Sequence, residues 1–283
     1  MSFVAEEIAG QPACWERAVG EPFAPGERIA VVGCGTSWFV AMAYAALRQA
    51  TGQWTDAFAA SEALVDRGYD RVVAITRSGT TTEVVDLLAR VAVPTTVITG
   101  VAGSPATARA TETVLLDFAD ERSVVQTQFA TTALAYLRSS LGEDLTKAIA
   151  DARTVLDQDL GDLDAAEQFT FLGQGWTVGL AHEAALKLRE AAGLWTESYP
   201  AMEYRHGPIS IAQPGRVTWV LGQAPDGLQS DVESTGARYI DSGNLDPMAH
   251  LVLAQRVAVA AALRRGLDPD RPRNLTRSVI LGA

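Results

Sequence analysis

The feature that most constrains this chain is a segment that occurs twice, about 140 positions apart. The first copy reads Val31-Val32-Gly33-Cys34-Gly35-Thr36-Ser37, and the second reads Phe171-Leu172-Gly173-Gln174-Gly175-Trp176-Thr177. Each copy is an apolar run, a Gly-x-Gly turn with a hydroxyl residue shortly after it, and a helix of small residues. In α/β proteins such a turn lets the free amides of a helix N-terminus face an anion. Two copies therefore predict a duplicated α/β domain built around phosphate-like ligands.

The rest of the chain alternates short Val/Ile/Ala runs with helical patterns. Continuous apolar runs are typical of strands buried on both faces, as in a parallel sheet with helical crossovers, so the predicted fold class is α/β. The predicted strands are 29–32, 71–76, 95–99, 113–116, 169–172, 217–221 and 238–240. The predicted helices are 5–19, 38–48, 82–90, 129–141, 145–160, 178–192 and 248–265. We expect an N-terminal helical segment at 1–25, a first domain at 26–155, and a second domain at 156–283 that includes a C-terminal tail.

Composition excludes several classes of function. The formal charge of −11, without a basic cluster, argues against nucleic acid as a partner. No apolar run reaches the length needed to cross a membrane, and the N-terminus lacks the pattern of a signal peptide. Cys14 and Cys34 are too few and too far apart for a disulfide framework or a zinc site. We expect a cytoplasmic protein that binds no metal.

A first group of candidate residues follows two of the predicted strands. Hydroxyls, backbone amides and a helix dipole converging there would bind a phosphate without a lysine. For either segment alone, ordinary helix capping and turn formation explain the residues better. Two such turns at the ends of adjacent strands favour the phosphate site, because ligands of α/β proteins bind at the carboxyl ends of strands. The candidate phosphate ligands are Thr36, Ser37, Thr76, Arg77, Ser78 and Thr81.

A second group lies on the helix that follows the second glycine turn. At about 100° per residue, Glu183, Lys187 and Glu190 fall on one face of this helix. The ordinary interpretation is a solvated face with an ion pair. The alternative is a carboxylate held near a lysine, which could move a proton between adjacent carbons of a substrate.

A third candidate is His206, in the segment Glu203-Tyr204-Arg205-His206-Gly207-Pro208. Histidine titrates near neutral pH and suits proton transfer to a sugar ring oxygen. A loop histidine bonded to the backbone is about as plausible from the local sequence. His250 lies in an apolar helix and is interpreted as structural, and His182 is ambiguous.

Five motifs in this order resemble the tandem SIS (sugar isomerase) domains of glucosamine-6-phosphate synthases, and of free-standing relatives that isomerise or deaminate amino-sugar phosphates. They are Gly33-Cys34-Gly35-Thr36-Ser37, Arg77-Ser78-Gly79-Thr80-Thr81, the helix from Glu183 to Glu190, Glu203-Tyr204-Arg205-His206-Gly207-Pro208, and Pro272-Arg273-Asn274-Leu275-Thr276-Arg277-Ser278-Val279. The resemblance covers nearly the whole chain. It implies two flavodoxin-like α/β units, each with a central parallel sheet flanked by helices.

The resemblance also implies roles for individual residues. The sugar 6-phosphate would be bound by hydroxyls at Ser37, Thr76, Ser78 and Thr81. Glu190 would carry the proton between C1 and C2, and Glu183 and Lys187 would line the same site. His206 would open the sugar ring from the partner subunit of a homodimer. No cofactor is implied.

Two departures from the family limit what can be carried over. No glutaminase domain is expected, because Met1 and Ser2 lead almost directly into the sugar domain. Arg277 stands where the synthases have a lysine that forms an imine, and arginine stays protonated and cannot form one. Arg277 is therefore retained only as a possible contact from the tail. Imine chemistry would need Lys187, free ammonia, or the substrate's own amine.

The sequence thus predicts a phosphosugar isomerase acting on an amino-sugar 6-phosphate or a ketose 6-phosphate, by isomerising deamination or by aldose–ketose isomerisation. The alternative from another class is a non-catalytic sugar-phosphate sensor, which would need neither Glu190 nor His206. A nicotinamide-dependent oxidoreductase is excluded because Trp38 stands at the third glycine position of its fingerprint.

Overall fold

A computed structural model describes residues 2–282, which divide into two compact units. The first unit comprises residues 13–145 and 276–282, and the second comprises residues 2–12 and 146–275. Each unit is therefore assembled from two separate stretches of sequence. The domain limits expected at 25/26 and 155/156 stay a prediction.

The first unit contains five strands and the helices that connect them. The strands are β1 (Ile29–Gly33), β2 (Thr55–Ala59), β3 (Arg71–Ile75), β4 (Thr95–Thr99) and β5 (Glu112–Leu115). The helices are α2 (Thr36–Ala50), α3 (Thr82–Arg90) and α4 (Gln128–Ser139), and α1 (Phe3–Arg17) contributes its C-terminal part. The strands form one parallel sheet in the order β2-β1-β3-β4-β5.

The second unit repeats this arrangement with one strand fewer. Its strands are β6 (Gln168–Gly173), β7 (Trp195–Pro200), β8 (Arg216–Leu221) and β9 (Arg238–Ile240). Its helices are α5 (Thr146–Asp157), α6 (Thr177–Ala192), α7 (Leu228–Ser234) and α8 (Pro247–Arg264), and α1 contributes its N-terminal part. The sheet is parallel in the order β7-β6-β8-β9.

The two sheets share one topology, in which the first strand of each unit lies inside the sheet between the second and the third. This is the flavodoxin-like order, and it creates a switch point between β1 and β3 and another between β6 and β8. The predicted fold class, two flavodoxin-like α/β units each with a central parallel sheet, is confirmed. Within residues 2–282, no helix has both the length and the apolar character needed to cross a membrane.

The strands at the centre of each sheet are apolar because helices cover both of their faces. Every residue of β1, β4 and β6 is buried. In the first unit, the side chains of Val32, Val72 and Leu87 belong to one buried cluster. In the second unit, Leu172 and Val220 belong to another.

All the strands predicted from the sequence are present, but two further strands, β2 and β7, were missed. They occupy equivalent positions, each at the edge of its sheet and each half-exposed. Edge strands need no continuous apolar run, and these two carry Asp56 and Glu197. The short helix α7 was also missed.

The two glycine turns have the same geometry in the structure. The first glycine of each turn lies against the start of the helix that follows. A Cβ added at Gly33 would lie 2.6 Å from the carbonyl carbon of Ser37, and one added at Gly173 would lie 2.2 Å from the carbonyl oxygen of Thr177. The second glycine of each turn is left-handed, with φ of 53° and 58°. Both turns thus depend on glycine for close packing of strand against helix.

We expect Gly33→Ala and Gly173→Ala each to lower the free energy of unfolding by about 1–3 kcal/mol, because the added methyl group forces strand and helix apart. Urea denaturation followed by circular dichroism measures the effect. Gly26→Ala is the control, because a Cβ there meets no atom within 4 Å. Its effect on the free energy of unfolding reports only the strain of an alanine at positive φ. An unchanged midpoint for Gly33→Ala would contradict the packing argument.

His250 of α8 is buried in the core of the second unit, as its apolar surroundings predicted. Its Nδ1 lies 2.8 Å from Ser242 Oγ, and the indole of Trp219 donates to its Nε2 at 3.1 Å. Burial lowers the pKa of His250 to about 4, and the charge of Asp241 opposes this only in part. The imidazole is therefore neutral at pH 7 and acts as a packing group.

Acidification should destabilise the fold through His250. Between pH 6.5 and about 4 the unfolded chain binds a proton that the folded imidazole does not, so stability falls with falling pH, by up to about 3 kcal/mol. Comparing unfolding free energies of the wild type and His250→Phe across this range isolates the contribution, with His206→Gln as an exposed control. Equal pH slopes for the wild type and His250→Phe would show that His250 titrates normally.

Candidate functional site

The candidate phosphate residues of the first unit lie at the switch point of its sheet. Strands β1 and β3 pair side by side, with Val32 opposite Ala74, so both strands end at the same edge. The turn after β1 leads into Thr36 and Ser37 at the start of α2, and the loop after β3 leads to the start of α3. The side chains of Thr36, Ser37, Thr76, Arg77 and Ser78 are buried, and Thr81 is half-buried. The structure thus brings these residues to one edge of the sheet.

Cys34 lies inside the first glycine turn but is not poised as a nucleophile. Burial and, to a lesser extent, the nearby carboxylate of Glu83 raise the pKa of its thiol to about 11. The thiol is therefore neutral at physiological pH. The turn offers backbone amides and hydroxyls rather than a reactive sulfur.

The loop after β3 is held in place by the segment that follows β4. The carbonyl oxygen of Arg77 accepts hydrogen bonds from Thr99 Oγ1 at 3.1 Å and from the amide of Gly100 at 3.0 Å. The carbonyl oxygen of Gly79 accepts from the amide of Ala106 at 2.9 Å. Because these bonds fix the carbonyl groups of the loop, the hydroxyl side chains of the loop are attached to a rigid backbone.

The guanidinium of Arg77 makes contacts that organise the loop. It donates to the carbonyl oxygens of Ser123 at 3.0 Å and Arg277 at 2.9 Å, and Nη1 lies 3.6 Å from the buried carboxylate of Glu121. These contacts give Arg77 a structural task. Its role as a phosphate ligand stays a prediction.

Glu121 is a site-organising residue that sequence reasoning missed. Its Oε1 accepts hydrogen bonds from the amides of Thr127 at 2.6 Å and Gln128 at 2.7 Å, which caps the start of α4. A buried carboxylate that caps a helix and faces Arg77 fixes both elements. The available signal was the acidic pair Asp120-Glu121, which follows β5 and lies a few residues before an apolar helix.

The segment 276–282 packs against the loop after β3. Arg277 forms an ion pair with Asp120, and the amide of Thr82 donates to the carbonyl oxygen of Val279 at 3.1 Å. The hydroxyl of Ser278 lies 3.3 Å from that of Thr81. Arg277 thus contacts Asp120 with its side chain and Arg77 with its carbonyl group, and its possible contact with a substrate stays a prediction.

In the second unit, the three charged residues predicted on one face of α6 contact one another. Lys187 is 1% exposed, and its Nζ lies 2.5 Å from Glu190 Oε2 and 3.5 Å from Glu183 Oε1. Glu183 is buried, whereas the side chain of Glu190 is 18% exposed. Each carboxylate offsets part of the cost of removing the Lys187 ammonium from water. The arrangement is not the solvated face that a surface ion pair would form.

Glu190 also borders a cavity of about 400 Å³ in the second unit. Residues 189–193 at the end of α6 and the segments 265–268 and 271–273 line this cavity. Lys187 is not among the lining residues. Glu190 thus borders the cavity and is partly exposed, while its ion-pair partner Lys187 is buried.

His206 ends a 3₁₀ turn (Ala201–His206) that follows β7, and it is exposed. Across residues 2–282, no hydrogen bond or ion pair joins His206 to Lys187 or Glu190. His182 is half-buried, with Nδ1 2.8 Å from Ser198 Oγ. Burial and then the charge of Arg189 lower the pKa of His182, so it is neutral at pH 7.

The second glycine turn is followed by one hydroxyl residue, Thr177, where the first is followed by Thr36 and Ser37. Thr177 Oγ1 is bonded to the backbone of its own turn, at 2.8 Å from the Gln174 amide and 3.1 Å from its carbonyl oxygen. Strand β8 is followed by Gly222 and Gln223 rather than by a hydroxyl-rich loop. Among residues 2–282, no cluster of three or more His, Cys, Asp or Glu side chains could hold a metal ion.

The chain is similar in sequence to glutamine–fructose-6-phosphate aminotransferases (isomerizing). It is 28% identical to the enzyme of Sulfolobus acidocaldarius over 89% of this chain and 50% of that protein. It is 27% identical to that of Methanothermobacter thermautotrophicus over 98% of this chain and 57% of that protein. The chain therefore spans about half the length of the curated relatives it matches. No protein-family model matches it.

Solved structures share the fold. Glucosamine-6-phosphate deaminase from Thermotoga maritima superposes with a TM-score of 0.85, at 23% identity, over 99% of this chain and 100% of that one. Tagatose-6-phosphate ketose/aldose isomerase from Escherichia coli superposes with a TM-score of 0.76, at 20% identity, over 95% of both chains. The resemblance predicted from the motifs is thus confirmed: the chain is similar in sequence to the isomerizing glutamine–fructose-6-phosphate aminotransferases and shares its fold with solved phosphosugar isomerases and deaminases.

Proposed function

We propose that the chain is a phosphosugar isomerase that acts on an amino-sugar 6-phosphate or a ketose 6-phosphate. The observation that carries this proposal is Glu190, a residue that borders a cavity of about 400 Å³ and whose carboxylate lies 2.5 Å from the buried ammonium of Lys187. The relatives and structural neighbours named above all act on sugar phosphates, which supports the same conclusion.

Glu190 is suited to carry a proton between two adjacent carbons. An isomerase base must be ionised, must reach the substrate, and must keep its orientation through the reaction. The contact with Lys187 fixes the orientation of the carboxylate. Its partial exposure supplies the access.

The proposed reaction begins with ring opening. His206 transfers the proton of the anomeric hydroxyl to the ring oxygen, which gives the open-chain aldehyde. Glu190 then removes the proton from C2 as the oxygen on C1 is protonated, which gives an enediol or, from a 2-amino sugar, an enolamine. Glu190 returns the proton to C1 as the group on C2 loses its own. The product is a 2-ketose, or a 2-imine that water hydrolyses to the ketose and ammonia.

The phosphate is assigned to the hydroxyls of the first unit. Ser37, Thr76, Ser78 and Thr81 are the proposed ligands, together with Thr36, all at or before the start of α2 or α3. Hydroxyls and helix N-termini bind a dianion without a fixed cation. Arg77 supports the loop that carries three of the four hydroxyls.

The nitrogen that takes part in this reaction is assigned to the amine of the substrate, because no lysine of the chain is placed to form an imine with the substrate. The chain contains two lysines, Lys147 and Lys187. Lys187 is buried between two carboxylates, and Lys147 is an exposed residue of α5 that contacts Asp151. An imine forms only from a neutral amine that reaches the carbonyl carbon. Neither lysine offers one, and Arg277 is paired with Asp120.

We also propose that the enzyme is a cytoplasmic homodimer in which His206 acts on the substrate bound by the partner subunit. The exposure of His206 supports this arrangement. Closed two-fold dimers are the commonest oligomers of enzymes of this size.

Replacing Glu190 should abolish turnover while leaving binding intact. We expect Glu190→Gln to lower kcat by about a hundredfold or more, since it removes the proton carrier but keeps the shape of the side chain. The measurement is the formation of fructose 6-phosphate and ammonia from glucosamine 6-phosphate, and the interconversion of glucose, fructose and tagatose 6-phosphates.

The exposed Glu233→Gln on α7 is the matched control and should retain full activity. Activity of Glu190→Gln equal to that of the control would remove Glu190 from the mechanism. If the wild-type protein binds these sugar phosphates but turns none of them over, the sensor alternative replaces the enzyme.

A mixing experiment tests the shared site. His206→Ala and Glu190→Gln should each be inactive alone, yet a refolded equimolar mixture should recover about a quarter of the wild-type activity. Half of the dimers are then mixed, and one of their two sites is intact. Size-exclusion chromatography with light scattering gives the oligomeric state. A mixture as inactive as its components would place His206 and Glu190 of the same subunit in one site.

A further inference from the structure

Four hydroxyl groups of the first unit form a connected network, and one of them comes from the segment 276–282. Thr80 Oγ1 lies 2.9 Å from Ser78 Oγ and 2.9 Å from Ser278 Oγ. Ser278 Oγ in turn lies 3.3 Å from Thr81 Oγ1. Two members of this network, Ser78 and Thr81, are proposed phosphate ligands. Ser278 lies within hydrogen-bonding distance of Thr81 and shares Thr80 with Ser78.

From this placement we propose that Ser278 is a further ligand of the substrate phosphate, contributed by the segment 276–282. The inference rests on the phosphate site proposed above. It adds to that site a residue that lies about 200 positions from Ser78 in the sequence.

The position of Ser278 is fixed from both sides. The carbonyl oxygen of Arg277 accepts from Arg77 Nη2 at 2.9 Å, and the carbonyl oxygen of Val279 accepts from the amide of Thr82 at 3.1 Å. The side chain of Arg277 is paired with Asp120. The hydroxyl of Ser278 is therefore pre-organised, and using it to bind an anion costs little ordering of the chain.

The chemistry of the network suits a phosphate. Each hydroxyl has one proton that rotates to suit its partner, and in the free protein these protons are exchanged among the hydroxyls themselves. Phosphate oxygens are stronger acceptors, because they are charged. The hydroxyls can turn toward an entering phosphate without movement of the backbone. Ser78 is buried while Thr80, Thr81 and Ser278 are half-buried, so the network is reachable from solvent.

The test compares Ser278→Ala with Ser278→Thr, which restores a hydroxyl. The dissociation constants of inorganic phosphate and of glucose 6-phosphate are measured by calorimetry, and kcat and KM are measured with the sugar phosphate that the wild type turns over. We expect Ser278→Ala to weaken both binding constants and to raise KM about tenfold with kcat nearly unchanged, and Ser278→Thr to recover most of the loss. Ser234→Ala on α7, an exposed serine of the second unit, is the control.

Three outcomes would overturn the proposal. Unchanged dissociation constants for phosphate and glucose 6-phosphate in Ser278→Ala would show that the hydroxyl does not bind the phosphate. Tighter binding would show that Ser278 competes with phosphate for Thr80 and Thr81. Loss of kcat in Ser278→Ala without a change in KM would point to a structural role and also count against it. If the wild type binds neither phosphate nor any sugar phosphate, the proposed function itself fails, which is a separate result.

Discussion

The parallel pairing of β1 with β3 decides where the first unit can bind a ligand. Because the second strand joins the sheet on the opposite side of β1, the segments that leave β1 and β3 diverge and leave a gap between them. The start of α2 and the loop before α3 both open onto this gap. This one pairing sets the position of the hydroxyls. It also sets the position of the loop that contacts the segment after β4 and the segment 276–282.

The duplicated units share one strand topology but carry different polar residues. Gly33 and Gly173 pack in the same way against the following helix, yet a hydroxyl-rich loop follows β3 and is missing after β8. The second unit instead carries three charged residues, Glu183, Lys187 and Glu190, in the middle and the last turns of α6. There Lys187 is buried only because Glu183 and Glu190 offset its charge. Loss of one carboxylate would leave part of that buried charge without compensation.

Local patterns were predictable from the sequence, and contacts between distant residues were not. The helical period placed Lys187 beside Glu190, because residues three apart on a helix are neighbours. Continuous apolar runs located the central strands. Strands β2 and β7 were not predicted, because an edge strand needs no such run. The contact of Arg77 with Arg277 joins residues 200 positions apart, and no local pattern encodes such a pairing. For the same reason, Glu121 and Ser278 emerged only from the structure.

The division of the chain gives its assembly a definite order. Residues 276–282 belong to the first unit but follow the whole second unit in sequence, and residues 2–12 belong to the second unit but precede the first. Neither unit is therefore a continuous stretch that could be produced by cutting the chain once. During synthesis, the hydroxyl network of the first unit stays incomplete until the second unit has left the ribosome. Such long loops slow the closing contacts, so the phosphate site is expected to be among the last parts of the protein to form.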